Sequence, residues 1–337
     1  MKVNREELLI QLESVLPGLS TKEIIEQSDC FVFQNEMAHT YNDEIACSIP
    51  TTLKITAAVP AVPLISILRK LPEDELDIDI DDSKLVIKGK RRRAAIKIEE
   101  NILLPIDAVE EAGKWFDLSI EFADAVSLVK DCAGINESQF VMTCIHITPE
   151  WIEACDNKQV ARYKFKSNFK KNTLIRKESL QHIISLNMSR YSRVKNWIHF
   201  KTSDSNGLIL SCRLFEEDYP TDDITKVLEV HGKKLILPKG LVKAVDKAEI
   251  FTAENVSGNN VTIILKTGKI RIKGEGTSGY YTEIKRSKYE GPDLRFTIPA
   301  KLLAELVQKH NECIVSNERL QVKGKKFTYV TVLGVVD

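Results

Sequence analysis

An apolar pattern recurs three times along the chain, and this long-period repeat constrains the fold more than any other feature. The segments Val59-Pro60-Ala61-Val62-Pro63-Leu64-Ile65-Ser66-Ile67-Leu68, Ile175-Arg176-Lys177-Glu178-Ser179-Leu180-Gln181-His182-Ile183-Ile184 and Ile298-Pro299-Ala300-Lys301-Leu302-Leu303-Ala304-Glu305-Leu306-Val307 align without gaps. Each is apolar at its first, sixth, ninth and tenth places, and they start 116 and 123 residues apart. The spacing reads as a strand end running into an amphipathic helix. Pro60 and Pro299 fall where a helix begins, where a missing N–H costs nothing.

A second helix pattern precedes each of these. Val3 with Leu8, Leu9 and Leu12 matches Ile120 with Ala125, Val126 and Val129, and Ile236 with Leu241, Val242 and Val245, at offsets of 117 and 116 residues. Two independent patterns with one period imply three tandem copies of a unit. The rest of each unit is strand-like: Cys30–Phe33, Glu44–Ile49, Val261–Leu265 and Lys269–Lys273 run apolar or alternate between turn residues. Lys266-Thr267-Gly268 reads as a tight hairpin loop. The expected class is α+β, with three two-helix, β-rich domains at 1–112, 113–223 and 224–337.

The 337 residues carry 48 basic and 48 acidic side chains with 43% hydrophobic content, which excludes disordered and fibrous classes. The balanced charge argues against a uniformly basic DNA-coating protein but leaves a local basic face open. No apolar run is long enough to span a bilayer, and Met1–Glu7 lacks the apolar core of a secretory signal, so a cytoplasmic location is expected. The seven cysteines, Cys30, Cys47, Cys132, Cys144, Cys155, Cys212 and Cys313, include no C-x-x-C pair. They read as small buried hydrophobes, not as zinc ligands or redox pairs.

Catalytic signals are weak. Asp77-Ile78-Asp79-Ile80-Asp81-Asp82 could suggest a metal site, but alternation puts Asp77, Asp79 and Asp81 on one solvated strand face. His39, His146, His182, His199, His231 and His310 are scattered singly, and no nucleophile elbow, P-loop or H-E-x-x-H is present. No metal or cofactor is expected. The basic residues say more. Lys239, Lys243 and Lys247 form one helical stripe, Arg69 and Lys70 end a helix, Arg176 and Lys177 begin one, and Lys301 and Lys309 lie on another. Arg91-Arg92-Arg93 adds a cluster in a strand. Recurrence in all three copies suits a cationic surface that follows a phosphate backbone without reading sequence.

The chain resembles the bacterial replicative sliding clamps, the beta subunit of DNA polymerase III, over essentially its whole length. Arg5-Glu6-Glu7-Leu8-Leu9 is similar to that family's opening R-E-x-L-L helix. Val59-Pro60-Ala61 and Ile298-Pro299-Ala300 resemble its V-P-A helix entry. Ala154–Ala161 is similar to its A-T-D-G-H-R-L-A strand and turn, and Tyr219-Pro220 with Val227-Leu228 resembles its F-P-D-Y-R-R-V-L junction. The neutral charge, the modest length and an ending of Tyr329–Asp337 without M-P-M-R-L suit a divergent or phage-encoded member.

The resemblance implies a DNA clamp fold that closes into a homodimeric ring around double-stranded DNA. It implies a non-enzymatic processivity factor whose polymerase and clamp loader dock through short peptides. DNA contacts would come from Lys22, Arg69, Lys70, Arg176, Lys177, Lys239, Lys243 and Lys247. The peptide pocket would comprise Cys155, Asn157, Val160, Pro220, Lys226, Val227, Val330, Val332 and Leu333. The dimer interface would pair Ile250 and Phe251 with Ile96 and Ile98. The alternatives are a three-domain metal-dependent enzyme acting on nucleic acid, built around Asp77 to Asp82, and a monomeric clamp-fold scaffold for replication proteins.

Overall fold

The computed structural model describes residues 1–203, 206–238, 240–252, 259–309, 312–316 and 318–335. Each expected copy holds its two helical segments. These are α1 (Arg5–Ser14) and α2 (Ala61–Lys70) in the first copy, and α3 (Phe122–Val129) with the short pair α4 (Lys177–Leu180) and α5 (Ile183–Leu186) in the second. An additional helix, α6 (Thr221–Val227), lies at the second repeat boundary, and α7 (Leu241–Glu249) and α8 (Ala300–Lys309) belong to the third copy.

Local chemistry explains these boundaries. The Asn4 side chain caps α1 by accepting the Glu7 N–H at 2.9 Å, satisfying a donor the helix leaves open. Pro60 precedes α2, and Arg69 and Lys70 close it where the helix dipole favours cations. α3 buries Phe122, Ala125, Val126 and Val129, and α7 buries Leu241, Ala244, Val245 and Ala248, each at helical spacing. The helix expected from Ile175 onward is broken into α4 and α5, and the second piece stops where Asn187 enters the left-handed region. The Lys266–Lys269 hairpin closes on Thr267-Gly268 with Gly268 at φ 72°, the conformation glycine supplies most cheaply.

Packing divides the described chain into two compact units, not along the repeat boundaries. One comprises residues 1–130, 144–149 and 166–217, the other 131–143, 150–165 and 218–337. The reason is that strands pair across repeats. In the first unit, Ile45–Pro50 of copy one pairs antiparallel with Ile209–Arg213 of copy two, inside an eight-stranded sheet running from Ala57–Pro60 to Phe116–Asp117. In the second unit, Gln159–Lys164 of copy two pairs with Phe327–Val332 of copy three.

Each unit also carries an open sheet. The first has Lys2–Asn4, Glu75–Asp81, Lys84–Lys88 and Arg93–Lys97 in that order. The second has Gly279–Arg286, Lys269–Gly276, Asn260–Lys266, Leu294–Pro299 and Gly334–Val335. α7 packs so tightly on the second of these sheets that a Cβ at Gly274 would lie 1.9 Å from the Ala248 carbonyl oxygen.

Candidate partner pocket and nucleic-acid surface

One row of side chains crosses four strands of the second unit: Cys155 opposite Val160, Val160 opposite Val330, and Val330 opposite Gln321. α6 covers this row. Ile224 and Leu228 join Cys155, Val160 and Val330 in one apolar cluster. Two side chains hold the helix down. Arg162, in a buried ion pair with Glu153 at 2.6 Å, donates to Thr225 Oγ1 at 3.1 Å. Gln321 Nε2 donates to the Leu228 carbonyl at 2.5 Å. A cavity of about 330 Å³ is left between helix and sheet, the size of a site for a few side chains.

Seven of the nine expected pocket residues line this cavity: Cys155, Asn157, Val160, Pro220, Val227, Val330 and Val332. The other two do not. Lys226 is solvent-exposed on α6 and pairs with Asp223 at 2.9 Å, while Leu333 is buried and donates its N–H to the Glu318 carbonyl. Met142, Ile224 and Arg319 also line the cavity and were not expected. Ile224 escapes sequence reading because α6 is too short for a helical period to stand out. Burial pushes the Cys155 thiol up to about 11 against the hydrogen bond from Tyr219, so Cys155 serves as a neutral wall. Asp156 accepts from the Lys158 and Gln159 N–H groups at 2.7 and 2.8 Å, which fixes the turn at the cavity rim.

The expected DNA contacts separate into groups. Lys22, Lys70 and Lys243 are exposed. Arg69 is exposed and pairs with Glu13 at 2.7 Å, bridging α2 to α1. Lys247 pairs with Glu283 at 3.4 Å; Lys285 first, then Tyr281, hold that carboxyl down to about 2 through hydrogen bonds. Lys177 is mostly covered. Arg176 is only 14% exposed and pairs with Glu44 at 2.7 Å, so it fastens the entry to α4 to the turn before Ile45–Pro50 and offers no free charge to a phosphate. Lys239 lies outside the described residues.

Arg93 begins a strand, whereas Arg91 and Arg92 occupy the turn before it. On the outer helix faces Arg69, Lys70, Lys243, Lys247 and Lys301 stand against Glu6, Glu7, Asp124 and Asp246. Among the described side chains of α1, α2, α3, α7 and α8 the exposed cationic excess is therefore slight.

Of the expected interface residues, Ile250 is 70% exposed at the end of α7. Phe251 is half-buried, its ring within 3.6 Å of where a Cβ on Gly279 would stand. Ile96 and Ile98 are both buried, because alternation on the Arg93–Lys97 strand turns Ile96 toward the first unit's core. They offer no apolar surface to a partner. The edge there consists of backbone with Arg93, Ala95 and Lys97.

Asp77, Asp79 and Asp81 are exposed on the strand whose other face buries Leu76 and Ile78. Among the described residues, no group of three or more His, Cys, Asp or Glu side chains is placed to hold a metal. No helix among them is long and apolar enough to cross a membrane.

This architecture is that of the sliding clamps. The structure resembles the sliding clamp (DNA polymerase III subunit beta) from Bartonella birtlesii bound to griselimycin, with a TM-score of 0.83 at 15% identity, covering 100% of this chain and 99% of that one. The corresponding griselimycin-bound clamp from Pseudomonas aeruginosa gives 0.79 at 16% identity, with the same coverage. DNA polymerase III beta subunit from Thermotoga maritima gives 0.81 at 13% identity, again over 100% and 99%. No protein-family model matches the chain, and no curated protein matches it. The chain therefore has the clamp fold from end to end.

Proposed function

We propose that the protein is a divergent sliding clamp: a processivity factor that closes into a homodimeric ring around duplex DNA and tethers a polymerase to it. The observation that carries this reading is a pairing rule in the repeat. The fourth strand of copy one pairs with the last strand of copy two, and the fourth strand of copy two with Phe327–Val332, the last long strand of copy three, followed only by the two-residue Gly334–Val335. Continued once more, the rule joins Gly279–Arg286 of copy three to Arg93–Lys97 of copy one. Both of those strands are sheet edges, each hydrogen-bonded on one side only among the described residues. Unpaired edges recruit further strands, and two copies related by a twofold axis satisfy both pairs of edges. Ile250, Tyr280 and Ile284, at 70, 67 and 52% exposure, supply apolar surface beside the third-copy edge.

Topology then accounts for function without catalysis. A closed ring leaves DNA only by opening, so sparse, sequence-blind phosphate contacts from Lys22, Lys70 and Lys243, with Arg69 and Lys247, suffice. The cavity under α6 suits one or two apolar anchors of an extended peptide from a polymerase or loader. The test combines sedimentation of the purified protein with retention on nicked circular versus linear DNA after loading. A dimer retained on circles and lost from linear ends supports the ring. A monomer that binds replication proteins without being retained on circles favours the scaffold.

A further inference from the structure

The row that builds the α6 cavity has a counterpart in the first unit. Tyr41 lies opposite Ala46, Ala46 opposite Ser211, and Ser211 opposite His199, so these residues occupy the places of Cys155, Val160, Val330 and Gln321. The covering segment here is the stretch from 99 to 112. Gln27 holds one end, accepting the Leu103 and Leu104 N–H groups at 2.8 and 3.1 Å, and Glu110 holds the other, accepting from Asn196 N and Nδ2 at 2.8 and 2.9 Å. Between strap and sheet is a cavity of about 250 Å³ whose walls include Tyr41, Ile106, Val109 and Ile209.

All four residues of the row differ, and the fourth position differs in how its polar group is satisfied. Gln321 is satisfied by the Leu228 carbonyl of its strap. His199 also lines its cavity and is 3% exposed, with Nδ1 2.8 Å from Ser211 Oγ, but its Nε2 has no protein partner among the described residues. An imidazole nitrogen buried in apolar surroundings without a hydrogen bond is costly.

We propose that this cavity is a second docking pocket, which takes one hydroxyl-bearing apolar side chain, a tyrosine, from an extended segment of a partner protein. The volume is below that of drug-sized sites and suits a single side chain. The walls are mainly apolar. A hydroxyl both donates and accepts, so it completes Nε2 in either tautomer of the His199–Ser211 pair. Burial keeps His199 neutral against the opposing pull of Glu110. With Glu110 and Glu111 also lining the cavity, phosphates and other anions are disfavoured.

The inference does not rest on ring closure, and its test needs neither DNA nor polymerase, so its failure leaves that reading untouched. The probes are p-cresol, the tyrosine side chain itself, and toluene, the same shape without the hydroxyl. ¹⁵N-histidine-labelled protein is titrated with each. Saturable displacement of the His199 Nε2 resonance by p-cresol, at least tenfold tighter than any effect of toluene, is expected. His199→Phe should abolish that preference, and Ile209→Trp, which fills the cavity, should abolish binding of both, with thermal melting confirming that each variant is folded. If Ile209→Trp is unstable, tighter p-cresol binding than toluene in the parent and its loss in His199→Phe decide instead. An unshifted resonance, equal binding of the two probes, or p-cresol binding that survives in Ile209→Trp overturns the proposal and leaves solvent as the partner of Nε2.

Discussion

Arg176 and Glu44 face each other at 2.7 Å, a contact between the entry to α4 in the second copy and the hairpin turn of the first. This pairing removes a cation that the sequence pattern offers to DNA and makes it a clasp inside the first unit. Arg176→Met is expected to lower unfolding stability by about 1–3 kcal/mol, the range for a charged hydrogen bond in a partly covered site. Urea melts measure that loss. The salt dependence of DNA retention should not change, and a shallower salt slope would return Arg176 to the DNA surface.

The exposed lysines carry the opposite expectation. Lys22→Glu, Lys70→Glu and Lys243→Glu combined should leave the melting temperature nearly unchanged, since none of the three is buried. They should weaken retention on DNA at all sequences alike. Each lost phosphate contact reduces the slope of log affinity against log salt by about 0.9. Equal slopes for parent and variant would remove these positions from the DNA surface.

Ring closure is tested at the third-copy edge. Ile250→Glu with Ile284→Lys replaces two exposed apolar side chains and should give folded monomers in sedimentation. Ile96→Glu is expected to do something different. Its side chain is buried, so a charge there should unfold the first unit instead of separating copies. Monomerisation by Ile96→Glu with unchanged thermal melting would show that the strand turns outward.

The α6 cavity gives two measurements. Val332 is 51% exposed at its mouth, so Val332→Glu should abolish polymerase stimulation while the fold and the ring persist. Removing the chain from Leu333 onward is a poorer test, because Leu333 is buried and Gly334–Val335 pairs with Phe296–Thr297. The Cys155 thiol, raised to about 11 by burial, should react with iodoacetamide at pH 8 far more slowly than an unfolded cysteine. Rapid native-state alkylation would mean that the cavity opens.

Stability should also respond to His199. Burial lowers it from 6.5 to about 4, so between those values the unfolded chain binds a proton that the folded protein excludes. Stability is therefore full above about pH 6.5 and falls as pH drops toward 4, by up to about 3 kcal/mol. Below pH 4 this contribution changes no further. Comparing urea melts of the parent and His199→Phe across pH 7 to 4 isolates it from the carboxylates. Parallel curves would show that His199 titrates normally.

Much of the architecture is legible in the sequence because it depends on local periodicity. The placing of Leu8 and Leu12, of Ala125, Val126 and Val129, and of Leu241 and Val245 commits those stretches to amphipathic helices wherever they pack. The recurrence of that pattern declares three copies. Alternation in Asp77–Asp81 likewise settles which face meets solvent before any partner is known. The residues that line the α6 cavity came instead from the resemblance of Ala154–Ala161 and Tyr219–Leu228 to family motifs, which no periodicity supplies.

Which surface each side chain meets is set by packing between distant segments. Arg176 and Lys70 look equally cationic in sequence, yet one meets Glu44 across 132 positions and the other meets solvent. Ile96 and Ile250 are equally apolar, yet strand alternation buries the first and the end of α7 exposes the second. His199 reads as a lone histidine until antiparallel register sets it opposite Ser211 and leaves its other nitrogen facing a cavity. Register joins residues far apart along the chain, and no periodicity within either strand encodes which partner it will meet.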